Sequence, residues 1–544
     1  MRNAIFMSAI TLACAAHDDV GVTASDLATG YGTIVVIPPS SFATQEPASA
    51  FADFSRVVAG ANVPGANQAW STDNVSGTTI TNIKSCDMFG NGVGTCTTVS
   101  TTPLSTFGFW NGDPSIVADG LGNVVYVSMM VSAGNGSNDT DVVALVSTDG
   151  GNSFGGLTSA NHDSRFPDQC GSTGTNVGGV ATIDQPRATF DYTTSPPTLW
   201  VTYRWRAEDA GTYGGCIRRG VLDNSVSPAS IHWLDAAHNI EGIGTGAAFP
   251  GVGGIRVAAG DGVITVAYSS SANIQRCPTN GTAAVDWGSV DSYDNGVTWV
   301  DNAKIFDSGD FHWCVANGQV DLDFGIEITR APGGMTYAVL PSGGPDTQHD
   351  AQNFVRVFKS PAAGIKGYQS AFTQKRSWFE WCKGTPTSNI PGGPTTNWRN
   401  VEVDGKCDVP AFVGTGPSVA QPAIATDGLG RLAVTYYETT DATDTLLRVM
   451  FQGNVNPQDP DVDWQAFPLT PPFAVPTNSG PNSFGRPLGD YMSIAVKPAE
   501  RTSPFYAPGC TASSDFFPFW VQSSTGRIPG GFSEVAMTGV TLTP

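Results

Sequence analysis

The stretch DPSIVADGLGNVVYVSMM at residues 113–130 decides the fold, because residues 420–440, AQPAIATDGLGRLAVTYYETT, write it a second time. In both copies a proline leads a short apolar run, a Gly-rich turn follows, and a second apolar run leaves the turn. Short runs rich in Val, Ile, Thr and Tyr on either side of such a turn read as an antiparallel strand pair. Weaker copies begin at Asp184 (DQPRATFDYTTSPPTLWVTYRW), Phe249 (FPGVGGIRVAAGDGVITVAYSS), Val320 (VDLDFGIEITRAPGGMTYAVLPS) and Leu488 (LGDYMSIAVKPAERTSPFYAPG). The starts are roughly 70 residues apart, once about 100, and a period of that size built from short strands signals a propeller or solenoid. Each repeat has room for about four strands, the size of a propeller blade. The expectation is an all-β, six-bladed β-propeller of four-stranded blades over 105–544, with an insertion near 360–415. Residues 17–104 are either an N-terminal extension or strands that complete the ring, and seven blades is the alternative.

The bulk numbers agree with this reading. Among 544 residues there are 64 Gly and 37 Pro, hydrophobic residues make up 40% and charged residues only 14%, and no long amphipathic helix stands out. The formal charge of −21, with 27 Lys and Arg that form no run, argues against a nucleic-acid partner, since phosphate binding rests on clustered cations. At the N-terminus, MRNAIFMSAITLACAAHDD has one Arg, an apolar run and then charge, the layout of an export signal over 1–16. Cleavage after Ala15 gives a secreted or periplasmic chain; a lipidated Cys14 gives a cell-surface one. No later segment is apolar enough to span a membrane. Ten cysteines without zinc spacing point to disulfides on the oxidising side of a membrane. The expected pairs are Cys86 with Cys96, Cys382 with Cys407, Cys277 with Cys314 and Cys170 with Cys216, leaving Cys510.

Two turns share one pattern: STDGGNSF at residues 147–154 and SYDNGVTW at residues 292–299. In each, the Asp (Asp149, Asp294) can accept backbone hydrogen bonds within its own turn, the Gly permits the backbone angles, and the aromatic anchors the turn. On these turns and the repeat layout from about residue 105 onward, the sequence resembles the sialidase (neuraminidase) superfamily, whose propellers carry such Asp-box repeats. The resemblance implies that Asp149 and Asp294 are structural, between the third and fourth strands of a blade and opposite the active face.

In a propeller the loops entering the first strand of a blade and leaving the second share one face. That places Asp113, Asp184, Asp321 or Asp323, and Asp490 around the mouth, with Arg187, Arg204, Arg206 and Arg486 at or near it. Aromatic side chains in FGFWNGD (107–113), DFHWC (310–314) and SWFEWC (377–382), Trp110 and Trp313 among them, suit the faces of sugar rings. The resemblance implies three arginines holding a substrate carboxylate, a Tyr nucleophile activated by Glu, and an Asp acid, an exception to the usual two-carboxylate scheme. Carried onto this chain, the holders are Arg187, Arg204 and Arg486, the acid is Asp113 or Asp184, and the nucleophile pair is Tyr436 with Glu438, which share a strand face. The family's early Arg-x-Pro motif is absent: the corresponding places read GDP and DQP. Arg165 precedes a Phe-Pro but follows the first Asp box, and Arg486 precedes Pro487 in the last repeat. Two functions therefore stay open, an exo-acting glycosidase of the sialidase type on a glycan or glycoconjugate, and a non-catalytic extracellular binding or adhesion propeller that presents its loops to a glycan or protein on a cell surface. No cofactor is required; the polar loop NGSNDTD (135–141) offers oxygen ligands for Ca²⁺ but lacks EF-hand spacing. Oligomeric state is not legible.

Overall fold

The computed structural model describes residues 35–36, 45–53, 55–62, 83–89, 92–101, 108–132, 140–163, 165, 170, 181–207, 212–240, 252–270, 282–312, 314–315, 320–321, 326–343, 353–360, 379–383, 398–400, 419–440, 446–457, 464–474, 488, 492–498, 514–523 and 533–542. Seven sheets of four or five strands, antiparallel except where Ser100–Thr101 pairs parallel with Ser153 and Phe154, form seven blades, so the ring has one blade more than the six-fold count expected from the repeats. Their innermost strands are Gln45–Asp53, Gly108–Ala118, Ala181–Asp191, Val252–Gly260, Glu327–Arg330, Val419–Thr426 and Ser493–Val496 for blades one to seven. Each packs against the next, and the seventh packs against the first, which closes the ring.

The additional blade is built from Gln45–Asp53, Arg56–Asn62, Ile83–Phe89 and Gly92–Thr98. Its first hairpin turns without glycine: the backbone N–H and the hydroxyl of Ser55 both donate to Asp53 Oδ1 at 2.7 Å. Blade seven borrows a strand from the other end of the chain, Val35–Val36, which pairs antiparallel with Met537 and Ala536. The ring is thus fastened by a ladder between the two ends of the sequence.

Second strands lie between neighbouring blades and are covered on both faces. All eight residues of Leu432–Thr439 are buried, and a strand covered on both sides reads as a continuous apolar run rather than an alternating one. Disulfides join Cys86 to Cys96 and Cys170 to Cys216. Cys277, Cys407 and Cys510 lie outside the described residues.

The proline that leads the repeats marks a bulge. Register shifts interrupt the inner strands between Gln45 and Ala48, Gly112 and Ser115, Asp184 and Arg187, Val252 and Ile255, and Ala420 and Ala423. Pro47, Pro114, Pro186 and Pro422 sit inside these shifts, where a residue without an N–H costs the ladder nothing. The residue before the proline is left-handed in three blades: φ is 52° at Asp113 and Gln185 and 48° at Gln421.

The turns holding Asp149 and Asp294 each join a third strand to a fourth. Asp149 Oδ1 accepts from the N–H groups of Asn152 and Ser153, both at 3.0 Å, while Ser147 Oγ accepts from Gly151 N at 2.9 Å. Asp294 Oδ1 accepts from Val297 N at 3.1 Å and Thr298 N at 2.8 Å, and Ser292 Oγ from Gly296 N at 2.7 Å. Burial works to raise both carboxylic acids, yet the hydroxyl and N–H donors outweigh it and hold each below its usual value. The first turn also bonds to the first hairpin of its own blade, Gly150 N to Gly122 O at 3.0 Å. Both therefore lie at the end of the ring away from the loops that enter the inner strands.

Candidate functional site

Charged side chains gather where the inner strands of blades three to five face one another. Asp184 stands opposite Arg204 in register, and Arg204 Nη2 donates to Asp184 Oδ2. Across the bulge, Arg187 turns toward the next blades. Its Nε is 4.0 Å from Glu327 Oε1 of blade five, and Arg256 Nε, from blade four, reaches the same oxygen at 2.5 Å. Both arginines fold back in the same way, Nη1 donating at 2.9 Å to the carbonyl of the preceding residue, Pro186 or Ile255. Three consecutive inner strands are therefore linked by one carboxylate.

Exposure divides the cluster by sign. The side chains of Arg187, Arg204 and Arg256 are 10%, 5% and 2% exposed, whereas Asp184 and Glu327 retain 25% and 19%. Buried guanidinium groups supply positive charge from behind, and the carboxylates are what the surface presents. Architecture does not demand this. At the position of Asp184 the equivalent bulges carry Gln45, Gly112, Val252 and Ala420, and at that of Arg187 they carry Ala48, Ser115, Ile255 and Ala423. Taking charges out of water costs several kcal/mol per ion, on the order of what an excellent pairing returns, so ionic groups on one arc of a repetitive ring call for a use.

The other expected site residues fall elsewhere. Asp113 is buried on blade two, and its Oδ2 accepts from Gln185 N of blade three at 3.2 Å. Tyr436 is packed with Tyr337, Val339, Leu432 and Val434 between blades five and six. Its hydroxyl accepts from Gln452 Nε2 at 2.7 Å, and burial, then the neighbouring Glu438 charge, push its phenol well above the usual value. Glu438 binds Arg448 through Nε at 2.6 Å and Nη2 at 2.5 Å. This geometry does not make Tyr436 and Glu438 an activated nucleophile pair: Tyr436 is buried in the packing between two blades, and there its phenol is held protonated.

Trp110 lies in the inner strand of blade two, paired with Met130, and Asp321 in a two-stranded ladder with Cys314; of these two and of Arg206 only the backbone is described. Trp313, Asp323, Arg486, Asp490 and most of the loop 135–141 lie outside the described residues. Asp141, the last residue of that loop, contacts His162 Nδ1. Among the described residues no group of three or more His, Cys, Asp and Glu is placed to hold a metal, and no helix is long and apolar enough to cross a membrane.

Arg256 and Glu327 went unselected in the sequence. Their signal was present, a charge flanked by apolar residues inside the inner-strand text, GGIRVAAG around Arg256 and GIEI around Glu327.

No protein-family model matches the chain, and no curated protein matches it. Among solved structures it is similar to the α-L-arabinofuranosidase Arb93A of Fusarium graminearum, at 11% identity and a TM-score of 0.35, covering 78% of this chain and 92% of that one. It is also similar to the α-L-arabinanase of Penicillium chrysogenum complexed with arabinobiose (12%, TM-score 0.37, 81% and 98%). A third is Trypanosoma rangeli sialidase (13%, TM-score 0.34, 81% of this chain and 56% of that one). At such identities and TM-scores the likeness says nothing of activity.

Proposed function

We propose that this propeller acts on a glycan at the inner-strand arc of blades three to five, with Asp184 and Glu327 as its working carboxylates. The observation that supports the reading is the sorting by sign just described: two partly exposed carboxylates on different blades, each backed by buried arginine. Hydrolysis of a glycosidic bond needs two such groups, one to protonate the leaving oxygen and one to attack the sugar or activate water. Their oxygens also accept hydrogen bonds from sugar hydroxyls. An exported chain with disulfides is suited to meeting such a substrate.

The same arrangement favours a neutral sugar over sialic acid. Of the three arginines that the family resemblance assigned to a substrate carboxylate, Arg187 and Arg204 are nine-tenths or more buried and turned to protein carboxylates. A second anion there would compete with Asp184 and Glu327 and suffer their repulsion.

The test is mass-spectrometric detection of sugars released from a pool of neutral and sialylated oligosaccharides by the purified chain, with Asp184→Asn and Glu327→Gln beside it. The expected result is release of neutral sugar by the parent and a loss of roughly 10²-fold or more in each variant, the scale of one acid–base group. Release of sialic acid would overturn the neutral-sugar reading. Binding of glycans with no release would move the protein to the non-catalytic class, and neither binding nor release would sink the glycan reading altogether.

A further inference from the structure

Asp113 was expected as an acid, yet its carboxylate faces the next blade. We infer that Asp113 is a positioning residue: it fixes the bulge of blade three that aims Asp184 and Arg187, and does not itself transfer a proton. The inference rests on the reading of Asp184 and Glu327 as the working pair.

Two hydrogen bonds carry it. Asp113 Oδ2 accepts from Gln185 N at 3.2 Å, and Ser115 Oγ accepts from Ala188 N at 3.0 Å. Both acceptors belong to the inner strand of blade two, and the two donors flank Pro186 and Arg187. An innermost strand has a partner strand on one side only, so N–H groups turned the other way must find acceptors elsewhere or lie buried and unsatisfied. Asp113 and Ser115 are those acceptors.

The segment they hold is one the chain would not adopt unaided. Gln185 is left-handed, with φ at 52°, and precedes a proline, a position biased toward extended backbone. Its side-chain amide is buried, with neither Nε2 nor Oε1 hydrogen-bonded among the described residues. A conformation with both penalties persists only where the surroundings impose it. Relaxation of Gln185 would swing Asp184 on one side and Arg187 on the other, and with them the contacts to Arg204 and Glu327. What the bulge requires of Asp113 is an acceptor oxygen, which asparagine also supplies.

The experiment compares Asp113→Ala, Asp113→Asn and Ser115→Ala in the full chain by amide hydrogen exchange over residues 183–190 and by kcat, KM and the pH profile on the sugar identified in the release assay. Asp113→Ala is expected to raise exchange at Gln185 and lower kcat by roughly 10–100-fold with a smaller change in KM, the effect of a misplaced group. Asp113→Asn is expected to restore protection, most of kcat and both limbs of the pH profile. Ser115→Ala should raise exchange at Ala188. A folded Asp113→Asn variant that is inactive, with one pH limb gone, would make Asp113 the proton donor and overturn the inference. Unchanged exchange in Asp113→Ala would do so too. If Asp113→Ala does not fold, Asp113→Asn and Ser115→Ala decide. If the parent cleaves nothing, the glycan reading fails, while exchange, which needs no substrate, still decides whether Asp113 holds the bulge.

Discussion

Replacing Gly296 by alanine tests how the two Ser-x-Asp turns bind blade to blade. Gly296 is left-handed, with φ at +81°, and a Cβ built there stands 2.4 Å from Cη2 of Trp200 on blade three. Trp200 is buried, so its indole cannot swing into solvent. Gly430, in the first hairpin turn of blade six, has the same φ of +81° with nothing within 4 Å of its Cβ position. The pair separates two costs. Left-handed backbone costs an L-residue ~1–2 kcal/mol at either site, and overpacking a filled interface adds ~1–3 kcal/mol at Gly296 alone. Gly430→Ala should therefore lose ~1–2 kcal/mol and Gly296→Ala ~2–5 kcal/mol, read as urea midpoints at constant m value. The sister turn gives a rescue: Cβ at Gly151 stands 2.2 Å from Cγ2 of Val58 on blade one. Val58→Ala should make room for Gly151→Ala, so the double variant should be more stable than the sum of the singles allows, by ~0.5–3 kcal/mol. Equal midpoints for Gly296→Ala and Gly430→Ala would refute the argument that the turn is pressed against the preceding blade.

Two further outcomes follow from the outer side of blades two and three. The Arg165 guanidinium, hydrogen-bonded to Asp163, brings that carboxyl down to about 2 against the cost of its burial. The folded value lies below the unfolded one, so the pair's contribution is complete above pH ~4 and is lost as pH falls toward the folded value. The gap in melting temperature between the parent and Arg165→Gln should accordingly shrink between pH 4 and 2; a gap that stays constant down to pH 2 would show that the pair contributes nothing through Asp163. The Cys170–Cys216 bridge spans 46 residues, and a loop of that length corresponds to ~4 kcal/mol of chain entropy removed from the unfolded state. Cys170→Ala with Cys216→Ala should lower the unfolding midpoint accordingly, and an unchanged midpoint would mean that other contacts, such as Tyr203 OH to Cys170 O at 2.8 Å, hold the segment unaided.

The fold was legible where the backbone is constrained. A proline inside a bulge and a glycine in a hairpin leave fixed marks, and most inner hairpins carry at least one of them, so the repeat showed through the weaker copies. Blade one has the proline, Pro47, in the same register shift, but it turns through Asp53 and Ser55 instead of glycine, so its text, QEPASAFADFSRVVAGAN, matches the two clear copies in the leading proline alone. The site was legible in half, for a different reason. Asp184, Arg187 and Arg204 lie in one repeat, and Asp184 pairs with its strand neighbour Arg204, which a reading of that repeat can reach. Glu327 meets Arg256 at a separation of 71 residues, and nothing in either repeat names the other until the ring closes and brings the inner strands together. Tyr436 and Glu438 illustrate the converse. Their spacing places them on one strand face, but that strand is the second of its blade and is buried on both sides, so a shared face leads into packing rather than to the axis. In a ring of near-equivalent units, the residues that differ between equivalent positions are more informative than those that recur. The bulge recurs and holds the architecture, and it presents Ala48, Ser115, Ile255 and Ala423 in four blades; Arg187, in blade three, links that bulge to a carboxylate two blades away.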